Sequence, residues 1–200
     1  ADVLKDEFNG EATASKLARV REQMEKEEAQ YHIISTLDDI AWILNVRGND
    51  IPHVPVVLSF LVIGKEDAMW FVEENALSDA VKEMAAECGI TIRPYEDVYA
   101  YAATIPEHST VLLDKRKVNY RITNALSETV HIVSKANPSQ LMKAIKNEIE
   151  LENTRKAHLL DGIAVTKFMY WLKKNVGKIP MDEVSVSDSV SYTHLTLPTT

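Results

Sequence analysis

The sequence predicts an α/β domain with a mixed sheet flanked by helices, followed by a long helix that opens a second domain. Three observations lead there. Short β-rich runs alternate with stretches of helical period from Ala12 to Val133, the pattern of a layered α/β structure. A continuous apolar run, Pro55 to Ile63, is followed by Gly64-Lys65-Glu66-Asp67 and a second strand-like run, Ala68 to Val72. An antiparallel pair across a tight turn, with its first strand buried on both faces, is the simplest geometry. After Asn137-Pro138-Ser139 the chain becomes dense in helix formers.

Each element has a local reason. In Ala12 to Ala29, Leu17, Val20 and Met24 recur at spacings of three and four among Lys, Arg and Glu, which predicts a surface helix with one buried stripe. Tyr31 to Ser35 reads as the first strand, and Leu37 to Asn45 as a helix with Ile40, Ile43 and Leu44 on one face. Val46 to His53 is a break, because Gly48, Asn49, Asp50 and Pro52 each favour turns. Beyond the apolar pair, Ser78 to Cys88 returns to helical period and Gly89 is placed to stop it. Ile90 to Arg93, Thr110 to Leu113 and Val130 to Val133 read as strands, with helices expected over Tyr95 to Ala103 and Asn119 to Ser127. Leu141 to about Asn175 reads as one helix with an apolar stripe of Leu160, Ile163, Ala164, Phe168, Trp171 and Leu172, ended by Gly177 and Pro180.

The domain reading is 1–139 for the α/β domain, 140–189 for the start of the next, and 190–200 as foreign text. The last segment, VSYTHLTLPTT, is uncharged and reads as an in-frame translation of a sequencing adapter, so His194 is left out of any site. The chain opens on Ala1 without a methionine, so its true N-terminus is expected upstream.

Composition narrows the class. With 46% hydrophobic and 26% charged residues over 200 positions, the chain reads as an ordinary globular protein. A net charge of -8 argues against nucleic acid as a partner, since that affinity rests on Lys and Arg neutralising phosphates. No apolar run reaches the ~20 residues of a membrane span. The single cysteine, Cys88, reads as a packing thiol in a reducing compartment.

Catalytic patterns are missing from the text. No HExxH, paired CxxC, GxSxG, GxGxxG or phosphate-binding loop occurs, and His32, His53, His108, His131 and His158 fall in different elements. The chain is therefore expected to carry no catalytic residue and no metal ligand of its own. Asp38-Asp39 reads as helix N-terminal charge, and Asp114-Lys115-Arg116-Lys117 as a solvated turn. The exception is Arg47-Gly48-Asn49-Asp50-Ile51-Pro52-His53, where a cation, an acid and an imidazole share one turn between a helix and a buried strand. Arg47 and Asp50 pairing to fix the turn is one reading; a binding loop on a rigid scaffold is the other.

The stretch Leu37 to Gly64, LDDIAWILNVRGNDIPHVPVVLSFLVIG, resembles the LDEIAWLxNxRGxDIxxxPVFxSY signature of three-domain Xaa-Pro aminopeptidases. In family order on either side come the helix ASKLARVREQM and the segment NPSQLMKAIKNEIELENTRKAHLLDGIAVTKFMYWL. The latter resembles the junction into that family's pita-bread catalytic domain. The resemblance implies the second creatinase N-terminal-like domain of that family, followed by the first long helix of a truncated pita-bread domain. It also implies a cytoplasmic, homodimeric parent enzyme that releases the N-terminal residue from peptides with proline at the second position. Two divalent metal ions, commonly manganese, would be held by two Asp, one His and two Glu downstream of this chain. Arg47, Asp50 and His53 are then the candidates to face the substrate entrance. The alternatives are a non-catalytic peptide-binding protein of pita-bread fold, or another enzyme of that architecture such as creatinase or prolidase.

Overall fold

The structure, a computed structural model, describes residues 1–195; residues 196–200, within the segment expected to derive from an adapter, lie outside the described residues. In chain order the elements are β1 (Asp2–Val3), α1 (Asp6–Asn9), α2 (Thr13–Lys26), β2 (Tyr31–Ile34), α3 (Leu37–Ile43) and β3 (Val46–Arg47). There follow β4 (Ser59–Gly64), β5 (Ala68–Val72), α4 (Asp79–Glu87), β6 (Ile90–Arg93), α5 (Asp97–Ala103), β7 (Thr110–Leu113), α6 (Tyr120–Ala125), β8 (His131–Ser134) and α7 (Pro138–Ala144). Helices α8 (Glu148–Asn175) and α9 (Glu183–Leu195) complete the described chain. Two compact units result, Ala1–Lys146 and the part from Asn147 onward.

The first unit is built on a six-stranded sheet of order β6-β5-β4-β2-β7-β8. β4 is antiparallel to both neighbours, β2 and β5, while β5–β6, β2–β7 and β7–β8 are parallel. The sheet is therefore mixed, with one strand reversed. Alternation along the strands sends side chains to two apolar layers. Ile34, Leu61, Ile63, Trp70 and Leu112 join Leu17, Val20 and Met24 of α2, Ile40 and Ile43 of α3 and Val81 and Ala85 of α4. Ile33, Phe60, Val62, Phe71, Val111 and Leu113 join Val98 and Ala102 of α5 and Ile122 of α6. Helices thus cover both faces.

Several expectations shift. The apolar run enters the sheet at Ser59 rather than Pro55, and Val54 and Leu58 are exposed. The turn after α3 contains β3, which pairs antiparallel with β1, a contact too short to leave a period in the sequence. The helix expected from Leu141 is two helices. Asn147 caps α8 by accepting from Glu150 N–H at 2.9 Å, and Glu150 returns a bond to the Asn147 N–H at 3.0 Å. Such a reciprocal cap starts a helix anew. Among the described residues of α8 only Ala164 is buried; of the rest of the expected stripe Leu160 and Ile163 are exposed and Phe168, Trp171 and Leu172 half-buried. Asp114, expected in solvent, is buried and takes two bonds from the Arg116 guanidinium, which hold its carboxyl below the usual range.

Two buried polar groups tie layers together. Lys16, 1% exposed, donates from α2 to the Trp42 carbonyl at 3.0 Å and to Asn45 Oδ1 at 2.6 Å, and lies over the Trp42 ring. His32, fully buried in β2, bonds the Leu112 carbonyl through Nδ1 at 2.9 Å. A carbonyl only accepts, so the proton sits on Nδ1. Burial lowers the His32 pKa to about 4, against smaller opposing effects from the Leu112 carbonyl and the Asp39 charge. Cys88 is half-buried at the end of α4, and burial, with Glu87 beside it, raises its thiol above the ordinary value. It is not an activated thiol.

Two outcomes are expected. Because the unfolded chain binds a proton at His32 near pH 6.5 and the native state resists until about pH 4, its stability contribution is complete above pH 6.5 and lost as pH falls towards 4. The loss should be on the order of 3 kcal/mol at pH 4. Urea titrations at pH 7 and pH 5.5 should show a drop in wild type that exceeds the drop in His32→Leu by about 1 kcal/mol; equal drops would contradict it. Lys16→Met removes the ammonium's bonds to the Trp42 carbonyl and Asn45 Oδ1 and should cost about 1–3 kcal/mol by the same assay.

Candidate substrate-entrance loop

The register of the sheet determines where the Arg47–His53 turn lies. Ser59 pairs with Val72 and Phe71 with Arg93, so the start of β4 and the ends of β5 and β6 share one edge. Leu58, Glu73 and Pro94 are the next residues out. With Asp50, Tyr95 and Glu96 they line a groove of about 430 Å³. The carboxyl ends of strands in an open α/β sheet are the usual place for ligands.

Within the turn, each backbone choice has a cause. Asn45 takes a left-handed conformation, φ 52°, as α3 ends, and its side chain receives Lys16 and donates to the Glu11 carbonyl at 2.8 Å. Gly48 passes so close to the returning chain that a Cβ there would sit 2.8 Å from the Val56 carbonyl oxygen. That backbone leaves no room for a larger residue. Ile51 and Val54 form a bridge, and His53 lies at the tip with φ 64°.

The three candidates share this loop but have separate surroundings. The Arg47 guanidinium donates from Nη1 to the Ala41 carbonyl at 3.0 Å and the Val46 carbonyl at 2.8 Å, so it caps the last turn of α3. A cation there also suits the negative end of the helix dipole. Asp50 accepts from the Leu58 N–H at 2.8 Å while its own N–H bonds the Val56 carbonyl at 3.3 Å. These contacts close the loop against the strand entry. His53 is exposed.

Tyr95, Glu96 and Glu73 were not legible as neighbours of Asp50. Only strand pairing brings them together. Tyr95 packs on Phe60 with ring centroids 5.0 Å apart, and burial raises its phenol pKa, helped by Tyr99 and Glu96. Asp38-Asp39, read as helix-end charge, do lie in the first turn of α3, and both also reach one ammonium, that of Lys143; Asp39 is 1% exposed. Among the described residues no three His, Cys, Asp or Glu side chains converge on a point that would hold a metal ion.

Comparison with known proteins agrees with the fold. The Creatinase/Prolidase N-terminal domain family matches residues 1–150. Xaa-Pro aminopeptidase 1 of Dictyostelium discoideum is 35% identical over 190 residues, which are 95% of this chain and 29% of that protein. A Probable Xaa-Pro aminopeptidase P of Neurospora crassa is 35% identical over 194 residues, 92% of this chain and 28% of that protein. Among solved structures, the X-prolyl aminopeptidase of Caenorhabditis elegans, described as a cytosolic enzyme with a di-nuclear active site, superposes with a TM-score of 0.86 at 26% identity. It covers 98% of this chain and 33% of its own. The prolidase of Pyrococcus horikoshii shares the fold, with a TM-score of 0.63 at 19% identity over 90% of this chain and 48% of its own. The chain spans less than a third of the length of the two aminopeptidases it matches in sequence. It belongs to the creatinase/prolidase N-terminal domain family.

Proposed function

We propose that this chain is the non-catalytic N-terminal part of a metal-dependent Xaa-Pro aminopeptidase, and that its Arg47–His53 loop borders the route by which peptides enter. The observation that carries this reading is the 35% identity, along 95% of the chain, to a protein named as such an enzyme. Proline explains why a dedicated peptidase is needed: it lacks an N–H and restricts the residue before it. The remainder of the parent would hold two divalent ions, manganese being the family's usual metal. A homodimer and a cytoplasmic location belong to the same proposal; the cytosolic description of the C. elegans enzyme supports the latter.

The loop residues divide the work. Arg47 and Asp50 are spent on the loop's own shape, and His53 is the side chain presented at its tip. A non-glycine residue in the left-handed region is strained, and such strain is commonly retained where function needs it.

The 200-residue chain alone should not cleave an Xaa-Pro peptide, whereas the full-length parent should, and should lose that activity on chelation. In the parent, His53→Gly relieves the backbone, so its melting temperature should hold or rise while kcat/KM falls. Unchanged kinetics would remove His53 from the entrance. Arg47→Ala should lower the melting temperature through the lost α3 cap and reduce kcat/KM beyond what that instability explains; kinetics equal to wild type at a temperature where both are folded would leave Arg47 a structural role alone.

A further inference from the structure

Helix α7 is the last element of the first compact unit, and only Ile145 and Lys146 separate it from the unit boundary. Its apolar attachment is thin. Leu141 is 67% and Ile145 68% exposed, and Met142 is only partly buried against the core. A helix with so little apolar burial needs another reason to keep one orientation.

That reason is a buried carboxylate. Asp39, at the start of α3, accepts from Thr36 Oγ1 at 2.5 Å, from Asn137 Nδ2 at 3.1 Å and from Lys143 Nζ at 3.0 Å. Asn137 is the N-cap of α7 and Lys143 lies in its last turn. Both ends of α7 are therefore tied to one side chain. Asn137, 3% exposed, also donates to Thr36 Oγ1 at 2.9 Å. Its orientation follows from chemistry, because a carboxylate can only accept and so must face the amide nitrogen. Lys143 also contacts Asp38. Burial pushes its pKa down, but the bonds to Asp38 and Asp39 outweigh this and hold the ammonium charged.

We infer that Asp39, Asn137 and Lys143 form a polar lock that holds α7, and so determines the direction in which the chain leaves the first unit, and that they are positioning residues for the peptidase activity proposed above, on which this second clause rests. A buried ion pair is seldom the most stabilising use of its volume, and orientation is what it supplies instead. The same α3 carries Asp39 at its first turn and receives Arg47 at its last. One short helix therefore holds both the exit of the chain and the candidate loop.

The test uses Lys143→Met, which keeps the stem and removes the charge, and Lys143→Arg, which keeps the charge. In the 200-residue chain, amide exchange over 138–147 should quicken about 10-fold or more in Lys143→Met while β2 and β4 stay protected, with Lys143→Arg close to wild type. In the full-length parent, Lys143→Met should lower the melting temperature by leaving Asp39 unpaired and, assayed where both proteins are folded, should lose about 10-fold in kcat/KM on an Xaa-Pro peptide, with Lys143→Arg restoring both. Wild-type exchange over α7 in Lys143→Met, or acceleration spread evenly along the chain, would overturn the lock. Wild-type kcat/KM in that variant would overturn the positioning role. A full-length wild type that cleaves no Xaa-Pro peptide would sink the functional reading instead, and the exchange result would still decide the lock.

Discussion

Strand β4 is the constraint on which the first unit depends. All six of its residues are buried, it runs opposite to the other five strands of its sheet, and its side chains feed both apolar layers, Leu61 and Ile63 to one and Phe60 and Val62 to the other. A slip of one residue would exchange those layers and ruin both. Its reversed direction has a second consequence. The chain must enter β4 at the edge where β5 and β6 end, so the segment from Asn45 to Leu58 is delivered to the carboxyl ends of those strands. Position of the candidate loop is thus a by-product of core packing.

That dependence explains what could be read in advance. Ala68–Val72, Ile90–Arg93 and Thr110–Leu113 coincide with their expected bounds because each is a short apolar run closed by turn formers or polar residues. Pro55 to Leu58 misled because an apolar run does not say where ladder hydrogen bonds begin; Pro55 has no N–H, and the Leu58 N–H is taken by Asp50. The restart of the helix at Asn147 was written in the text as Asn-x-x-Glu, but it is hidden among helix formers. As for the site, the turn itself was legible from Gly48, Asp50 and Pro52. Its neighbours were not, since Tyr95 and Glu96 reach it only through the β4–β5–β6 register. Likewise Asp39 and Lys143 are far apart in sequence, and nothing local marks either as the other's partner.

The charged residues share one kind of arrangement. Lys16, Asp39 and Asp114 are buried, Arg47 and Lys143 half-buried and Asp50 exposed at the groove, and none is left to solvent alone. Instead each is bonded to backbone or to a neighbouring side chain that fixes an element: Lys16 joins α2 to the end of α3, Arg47 closes α3, Asp50 closes the loop, and Asp39 with Lys143 holds α7. A catalytic acid, base or nucleophile has to change its bonding during a turnover, whereas these groups are stable only while their bonding stays as it is. Their common property is rigidity. A domain built this way holds a loop and a helix in fixed positions.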